Sequence, residues 1–425
     1  MNRVCSIFSQ LLSLFPRGEF DQAVRQHRAE RHARGFTCWG QFVAMMYCQL
    51  GRAQSLREIC GGLACSEGKL RHLGLPQAPA RSTLAYANEH RPWQLYETVF
   101  HQLLAKCQGQ LSGNIKKKFR FKNKLLSIDA TVIDLCASVF DWAAFRQTKG
   151  AVKLHLVLDH DGYLPSFAVI TDGKQHEISV ARTLRFEPGT VLVMDRGYVD
   201  YDWFHDLTNQ KVHFVTRLKD NADYEVVEER AVPQNSTILK DEIIMFHSLA
   251  RKNVMLPLRR IEVRDEANDK VLVLLSNHLK FGATTIARVY KDRWQIELFF
   301  KALKQNLRVK TFVGTSANAL KIQIWTALIA LLLLRYLQLR SQFGWHLSTL
   351  VALLRQQLFV YRDLIAWLNQ PFQPPEPDAI AAMQQAFDWA QLGQQADEPA
   401  NLNRQPQAPP PVCPAFSALP AVAMI

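Results

Sequence analysis

The hydrophobic period of the chain changes twice. Up to about residue 110 the apolar positions recur at the helical spacing, as in helices that bury one face. The opening stretch MNRVCSIFSQLLSLFPRGEF predicts a short amphipathic helix stopped at Pro16, without the small-residue cleavage site of a signal peptide. Ser55 to Leu63 predicts a helix with a capping box, closed by its glycines. After Leu75, Pro76 and Pro79 a further helix begins at Ser82. From Leu125 the period shortens to that of strands, at 125–133, 152–158 and 164–170, the last two joined by the hairpin-turn residues Asp159 to Gly162. A helix at about 176–185 then precedes an apolar run at 190–194, typical of a central strand, and a helix at 200–209 precedes a strand at 212–217. Three antiparallel strands followed by helix, strand, helix, strand predict a mixed α/β sheet.

Short alternating stretches at 242–246, 258–263 and 270–275 predict an inserted β-rich subdomain, after which the helical period returns near Thr284 and Thr285 and runs to about 369. The expected organisation is an all-α N-terminal part over 1–112, the first part of an α/β domain over 113–219, the β-rich insertion over 220–284, the rest of that domain over 285–370, and a tail over 371–425. The tail holds 11 of the 19 prolines among glutamine and alanine, so it is expected to be disordered apart from a short helix near 378–391. The strongest apolar run, Ile322 to Leu334, is 13 residues long, too short to span a bilayer. A buried helix and no membrane partner are expected.

At 425 residues with 48% hydrophobic content the chain can bury a sizeable core. Its 51 Lys+Arg against 38 Asp+Glu leave a formal net charge of +13, which suits a polyanionic partner. The eight cysteines lack paired CxxC spacing, so reduced thiols in the cytoplasm are the expectation and zinc is not. Two local patterns fit nucleic acid. Helix, turn, helix, with Arg81, Ser82, Thr83 and Asn88 near the second start, matches a DNA-reading hairpin of helices, and equally a plain helical hairpin. The basic run from Lys116 through Lys117 and Lys118 to Lys124, with interleaved phenylalanines, suits phosphate contact or a solvated face.

The most informative stretch runs from Tyr290 to Lys304. Tyr290, Arg293, Glu297 and Lys304 are spaced by three, four and seven residues. On a helix turning about 100° per residue their side chains share an arc about 60° wide, beside an apolar stripe of Val289, Ile296, Phe299, Phe300, Leu303 and Leu307. Two further acids stand at strands, Asp129 in the first and Asp195 just after the central one. The first and fourth strands of such a sheet are commonly neighbours, and α/β sheets place their sites at the carboxyl ends of strands. Three clustered carboxylates need cations, and a hard divalent metal suits oxygen ligands. Each acid also has a plain structural reading. Asp134, Asp159 or Asp172 could compete with Asp129, Asp195 could cap a turn, and Glu297 could pair with Arg293 or Lys301.

Taken together these residues resemble a DDE transposase of the insertion-sequence-four family, whose signature is Tyr, Arg, Glu and Lys at this spacing. Asp195 to Tyr198 is similar to that family's second-acid block, and Ile128 to Thr131 to its first. The resemblance covers roughly 120–335, with a helical N-terminal segment before it. It implies a ribonuclease-H-like catalytic fold interrupted by a β-rich insertion. It also implies that Asp129, Asp195 and Glu297 hold magnesium, with manganese substituting, and cut DNA at the element's ends before strand transfer. Tyr290, Arg293 and Lys304 would contact phosphates near the cut, and the enzyme would work in the cell's nucleoid as a homodimer on terminal inverted repeats and target DNA. One departure stands out. No tryptophan lies between Trp203 and Trp294, so Tyr224, Phe246 or Phe281 would have to stack a flipped base in the insertion. A non-catalytic DNA-binding relative and a ribonuclease-H-like nuclease are the alternatives.

Overall fold

The computed structural model describes residues 5–31, 33, 35–111, 118–136, 144–146, 149–307 and 312–373. The chain divides into two units after Pro371. The expected tail helix near 378–391 lies outside the described residues, as do Lys116 and Lys117.

Ten strands form one sheet: β1 (Leu125–Cys136), β2 (Ala144–Arg146), β3 (Lys149–Asp159), β4 (Leu164–Asp172), β5 (Val191–Val193), β6 (His213–Arg217), β7 (Tyr224–Glu229), β8 (Ile238–Phe246), β9 (Leu258–Asp265) and β10 (Lys270–Ser276). β1, β3 and β4 are successive antiparallel neighbours, and β2 pairs with the start of β3. The β3–β4 hairpin turns at Gly162, whose φ of 83° is left-handed backbone that glycine adopts freely. On the other side of β1 the sheet becomes parallel, through β5 to β6. This is the mixed, ribonuclease-H-like sheet expected from the sequence. The β1–β5 register sets Ser127 opposite Val193. Asp129 and Asp195 each lie two residues beyond that last pair, and the charge of Asp195 acts on Asp129.

The three stretches expected in the insertion region form β8, β9 and β10, and with β7 they continue the same sheet. β10 runs antiparallel beside β6, with Ser276 opposite Val215, and β9, β8 and β7 follow outward. Apolar residues on both sides of that seam share one core, including Val215, Ile261 and Leu274. Buried ion pairs from Arg259 to Asp241 and from Arg260 to Glu242 tie β9 to β8.

The two faces of β1 are covered differently because successive side chains alternate. Leu126 and Ile128 pack with Ala181, Trp203 and Phe204 from the helices Glu177–Ala181 and Tyr201–Asn209. Leu125 packs with Ile286 and Val289 of the helix Ala283–Asp292, and Ile133 and Leu135 lie in the core that holds Ile296 and Phe299 of the helix Trp294–Asn306. Each such fully buried Ile, Val or Phe contributes about 1.5–3 kcal/mol.

That largest core also includes the N-terminal helices and the helix Ala317–Arg340. This helix is the expected buried one. It is long and apolar enough to cross a membrane, yet 83% of its most apolar window is buried against the rest of the protein. Ser55 caps the helix Leu56–Ala64 by accepting from the Glu58 N–H, while Glu58 reaches back to the Gln54 N–H at 2.9 Å. The helix does not stop at its glycines. A Cβ on Gly62 would come within 2.2 Å of the Tyr47 hydroxyl, so glycine is needed there for close approach rather than for termination.

Candidate active site

Asp129 stands on β1 with 13% of its side chain exposed. Its Oδ1 accepts the Ala130 N–H at 2.8 Å and its Oδ2 accepts from Arg293 Nη1 at 3.4 Å. Burial pushes its carboxyl up to about 7; the Ala130 N–H and Arg293 oppose this, while Glu297 and Asp195 add to it. Asp195 follows β5 and caps a tight turn, its Oδ1 accepting the Gly197 N–H at 2.8 Å. Both functions weighed from sequence are thus compatible in one residue, because the cap uses one lone pair of Oδ1 and leaves the carboxylate's other lone pairs available.

The stretch expected to be a single helix from Thr284 through Lys304 is two, Ala283–Asp292 and Trp294–Asn306, joined at Arg293. The Arg293 N–H bonds to the Tyr290 carbonyl, and the Ile296 N–H to the Arg293 carbonyl, the three-residue step of a tightened turn. The cause lies next door. Asp292 is turned inward, 4% exposed, and gathers three side chains directly and a fourth through His160. His160 Nδ1 lies 2.6 Å from its Oδ2, Tyr163 donates at 3.1 Å, Lys118 pairs with its Oδ1, and His160 Nε2 lies 2.6 Å from Ser127 Oγ on β1. Burial works against the charge, yet the bonds from His160 and Lys118 hold Asp292 below the usual carboxylate range.

Arg293 therefore leaves the joint aimed at the acids. It bridges Asp129 and Glu297, with Nη1 and Nη2 each 3.3 Å from Glu297 Oε1. Although burial opposes its charge, Tyr290, Asp129, Glu297 and Asp195 together keep it firmly protonated. The Tyr290 ring lies beneath its guanidinium at 5.9 Å. Lys304 reaches the Val132 carbonyl of β1 at 2.8 Å. Among the described residues, Asp129 and Glu297 are the carboxylates that pair with Arg293, while Asp159 pairs with Lys124. Asp134 and Asp172 are exposed.

The donors are all carboxylate oxygens, the chemistry of a hard divalent cation, and Asp129, whose carboxyl burial pushes up, is one whose charged form such a cation would favour. The arrangement itself is closed around Arg293: among the described residues no three His, Cys, Asp or Glu side chains are grouped closely enough to hold one ion.

A hollow of about 790 Å³ opens beside this centre, lined by Arg264, Arg288, Tyr290, Lys291, Arg293 and Trp294 among others. Trp294 is 58% exposed. The aromatics expected to stack a base are engaged elsewhere: Phe246 is buried against Tyr201, Tyr224 lies under Arg260, and Phe281 stacks between His278 and Phe121. Arg81 is exposed at the start of the helix Arg81–His90 and is lined up with Arg57 rather than with the acids. Asn88 faces inward, accepting from Gln41 at 2.8 Å, and so leaves the exposed face to Arg81, Ser82, Thr83 and Tyr86.

Sequence reasoning passed over Asp292, His160 and Ser127. Their signal was weak: an acid just before the signature arginine, and a histidine inside a turn read only as a turn.

A fold of this order carrying three acids in this sequence defines a class of enzyme, the DDE polynucleotidyl transferases. Residues 120–333 match the family described as the transposase DDE domain, and the chain belongs to that family. Residues 4–76 match a domain of unknown function, DUF4372. A Sinorhizobium fredii protein, y4zB, named as a transposase, is 33% identical over 319 residues, which cover 74% of this chain and 87% of that one. A Geobacillus stearothermophilus protein named as the transposase for insertion sequence element IS5377 is 29% identical over 60% of this chain and 67% of its own. This chain is accordingly an insertion-sequence transposase, and DDE domains act with divalent metal ions. A piggyBac transposase synaptic complex with hairpin DNA aligns at a TM-score of 0.44 and 11% identity over 84% of this chain and 80% of that one, a likeness too distant to bear on this chain's chemistry.

Proposed function

We propose that this chain cuts double-stranded DNA at the terminal inverted repeats of its element and joins the freed ends to target DNA, with Asp129, Asp195 and Glu297 as the ligands of magnesium or manganese. The observation that carries this reading is the meeting of Asp129 and Glu297 on Arg293, with Asp195 near enough for its charge to act on Asp129. When bound, such ions make a nucleophile of water or a 3′-hydroxyl and stabilise the oxygens that attack and leave. Glu297 is held to its place by the apolar stripe of its helix, so that it moves little when the charges around it change.

Arg293 then turns its planar fork from the carboxylates to the oxygens of the scissile phosphate, supported by the Tyr290 ring. Lys304, strapped to β1, adds a point charge on the same side. Trp294 and the cations around the hollow receive an unpaired strand, the aromatic face stacking a base and the cations meeting its phosphates. Of the basic run, Lys116 and Lys117 meet the backbone as it enters, and Lys118 adds its charge from its place on Asp292. The N-terminal part, 1–112, reads the repeat through the helix that exposes Arg81. Two copies hold two ends in a nucleoid-associated synaptic complex, with 113–219 and 285–370 as the catalytic part and 220–284 as its β-rich insertion.

Glu297→Gln tests the assignment, since it removes a charge without changing the shape of the helix. The expected result is loss of strand cleavage by more than about a thousandfold with end binding kept, read on a labelled repeat in a gel. Normal cleavage by that variant would overturn the site. Binding without metal-dependent nicking by the unaltered chain would instead mark a DNA-binding protein that does no chemistry.

A further inference from the structure

A fourth carboxylate approaches the acids from the side opposite Glu297. Glu177 opens the helix Glu177–Ala181, which packs on the Arg196–Tyr198 turn and on the other face of β1. Gly197 leaves the space between Glu177 and Asp195 clear. A Cβ built there would stand 3.0 Å from Asp195 Oδ1 and 3.6 Å from Glu177 Oε2, so both oxygens face one point. The other oxygen of Glu177 is met by Lys153 at 3.3 Å, from a side chain only 13% exposed.

A second observation points to a missing ligand. Tyr198 is fully buried, and its hydroxyl is among the buried polar atoms that have no hydrogen-bond partner. Tyr198 directly follows Gly197, and the charges of Asp129, Glu177 and Asp195 all act on its hydroxyl. A buried hydroxyl without a partner costs about 1–3 kcal/mol, a cost that an oxygen bound there would relieve.

We propose that Glu177 is a further ligand of the centre, completing with Asp195 the oxygen shell of a second divalent cation, with Lys153 as its exchangeable counter-ion and the Tyr198 hydroxyl facing the water or phosphate oxygen on that ion. This rests on the assignment of Asp195 as a ligand. Two side-chain cations then play matching parts. Arg293 neutralises Asp129 and Glu297 on one face of the sheet, and Lys153 neutralises Glu177 on the other. Carboxylate count sets affinity for hard ions, and each resident side-chain cation competes with the ion for the same oxygens.

The test is a titration of the full-length protein with Mn2+ followed by electron paramagnetic resonance, with thermal unfolding to confirm that each variant is folded. Glu177→Gln is expected to weaken one of two Mn2+ sites at least about tenfold. Lys153→Met is expected to tighten the same site, a change that a purely structural lysine would not cause. If Asp195→Asn abolishes that site while Glu177→Gln binds as the unaltered chain does, the proposal fails and the three-acid reading stands. If Asp195→Asn leaves Mn2+ binding unchanged, the three-acid reading fails and the proposal falls with it.

Discussion

Asp129 and Asp292 are both nearly withdrawn from solvent, and both approach the joint between the same two helices, yet their surroundings treat the charge in opposite ways. Asp292 has a donor for each oxygen, from His160, Tyr163 and Lys118, and is held below the usual range. Asp129 has one backbone N–H and one long contact to Arg293, with two more carboxylates nearby, and burial pushes it up to about 7. A single residue of β1, Ile128, separates the Ser127 end of the first network from Asp129 itself. A fully satisfied buried carboxylate is part of the frame, whereas an under-compensated one is poised to accept a ligand. The frame lies directly beside the site because it aims the site: Asp292 fixes the joint from which Arg293 and Glu297 project.

Removing each charge in turn is the most direct way to break this contrast. Asp292→Asn leaves His160 and Lys118 facing a neutral amide and is expected to lower stability by about 3 kcal/mol or more. Asp129→Asn relieves a repulsion and is expected to leave the melting temperature of the metal-free protein unchanged or higher at pH 8. Thermal unfolding of the pair checks this, and a similar fall in both would make Asp129 a structural partner as well.

A smaller effect sharpens the comparison with the outer strands. His278 stacks on Phe281 with ring centroids 3.6 Å apart, and its Nδ1 accepts the Phe281 N–H at 3.1 Å. Burial, followed by the nearby His213, pushes its pKa down from 6.5 to about 4. The unfolded chain therefore binds the extra proton first. Stability is expected to be full above about pH 6.5 and to fall as the pH drops toward 4. Denaturant unfolding at pH 5 and 7 should show a smaller difference for His278→Leu than for the unaltered chain; equal differences would place the acid sensitivity elsewhere.

The smallest expected change is at Lys304. Lys304→Ala is expected to weaken DNA binding and to lower the slope of log affinity against log salt by about 1, as for the loss of one phosphate contact. An unchanged slope would leave Lys304 with its other visible task, holding the Val132 carbonyl of β1.

Much of this was legible along the chain. Strands 125–133, 152–158 and 164–170 were found nearly to their ends, because a period of two with β-branched residues has few competing readings. The apolar helix around Ile322 to Leu334 was also plain. Other features were not legible, for physical reasons. The insertion strands join the main sheet because β10 pairs with β6, a hydrogen-bond choice that alternation does not encode. The break at Arg293 depends on Asp292 being drawn inward by residues more than a hundred positions away in the chain. Glycine at position 62 looked like a stop, but answers to Tyr47.

By itself, then, the sequence determined the class of chemistry: three acids in order, a cationic and phenolic arc beside one of them, and a sheet to carry the others. Those are facts of residue type and spacing, which a helix and a strand convert directly into faces. Only the tertiary structure decided what neutralises each acid. It placed Arg293 between Asp129 and Glu297, gave Asp292 its donors, and brought Glu177 to Asp195 across the Gly197 gap. Charge balance in a low-dielectric interior is set by distances of a few ångströms between residues far apart in the chain, and no local pattern records them.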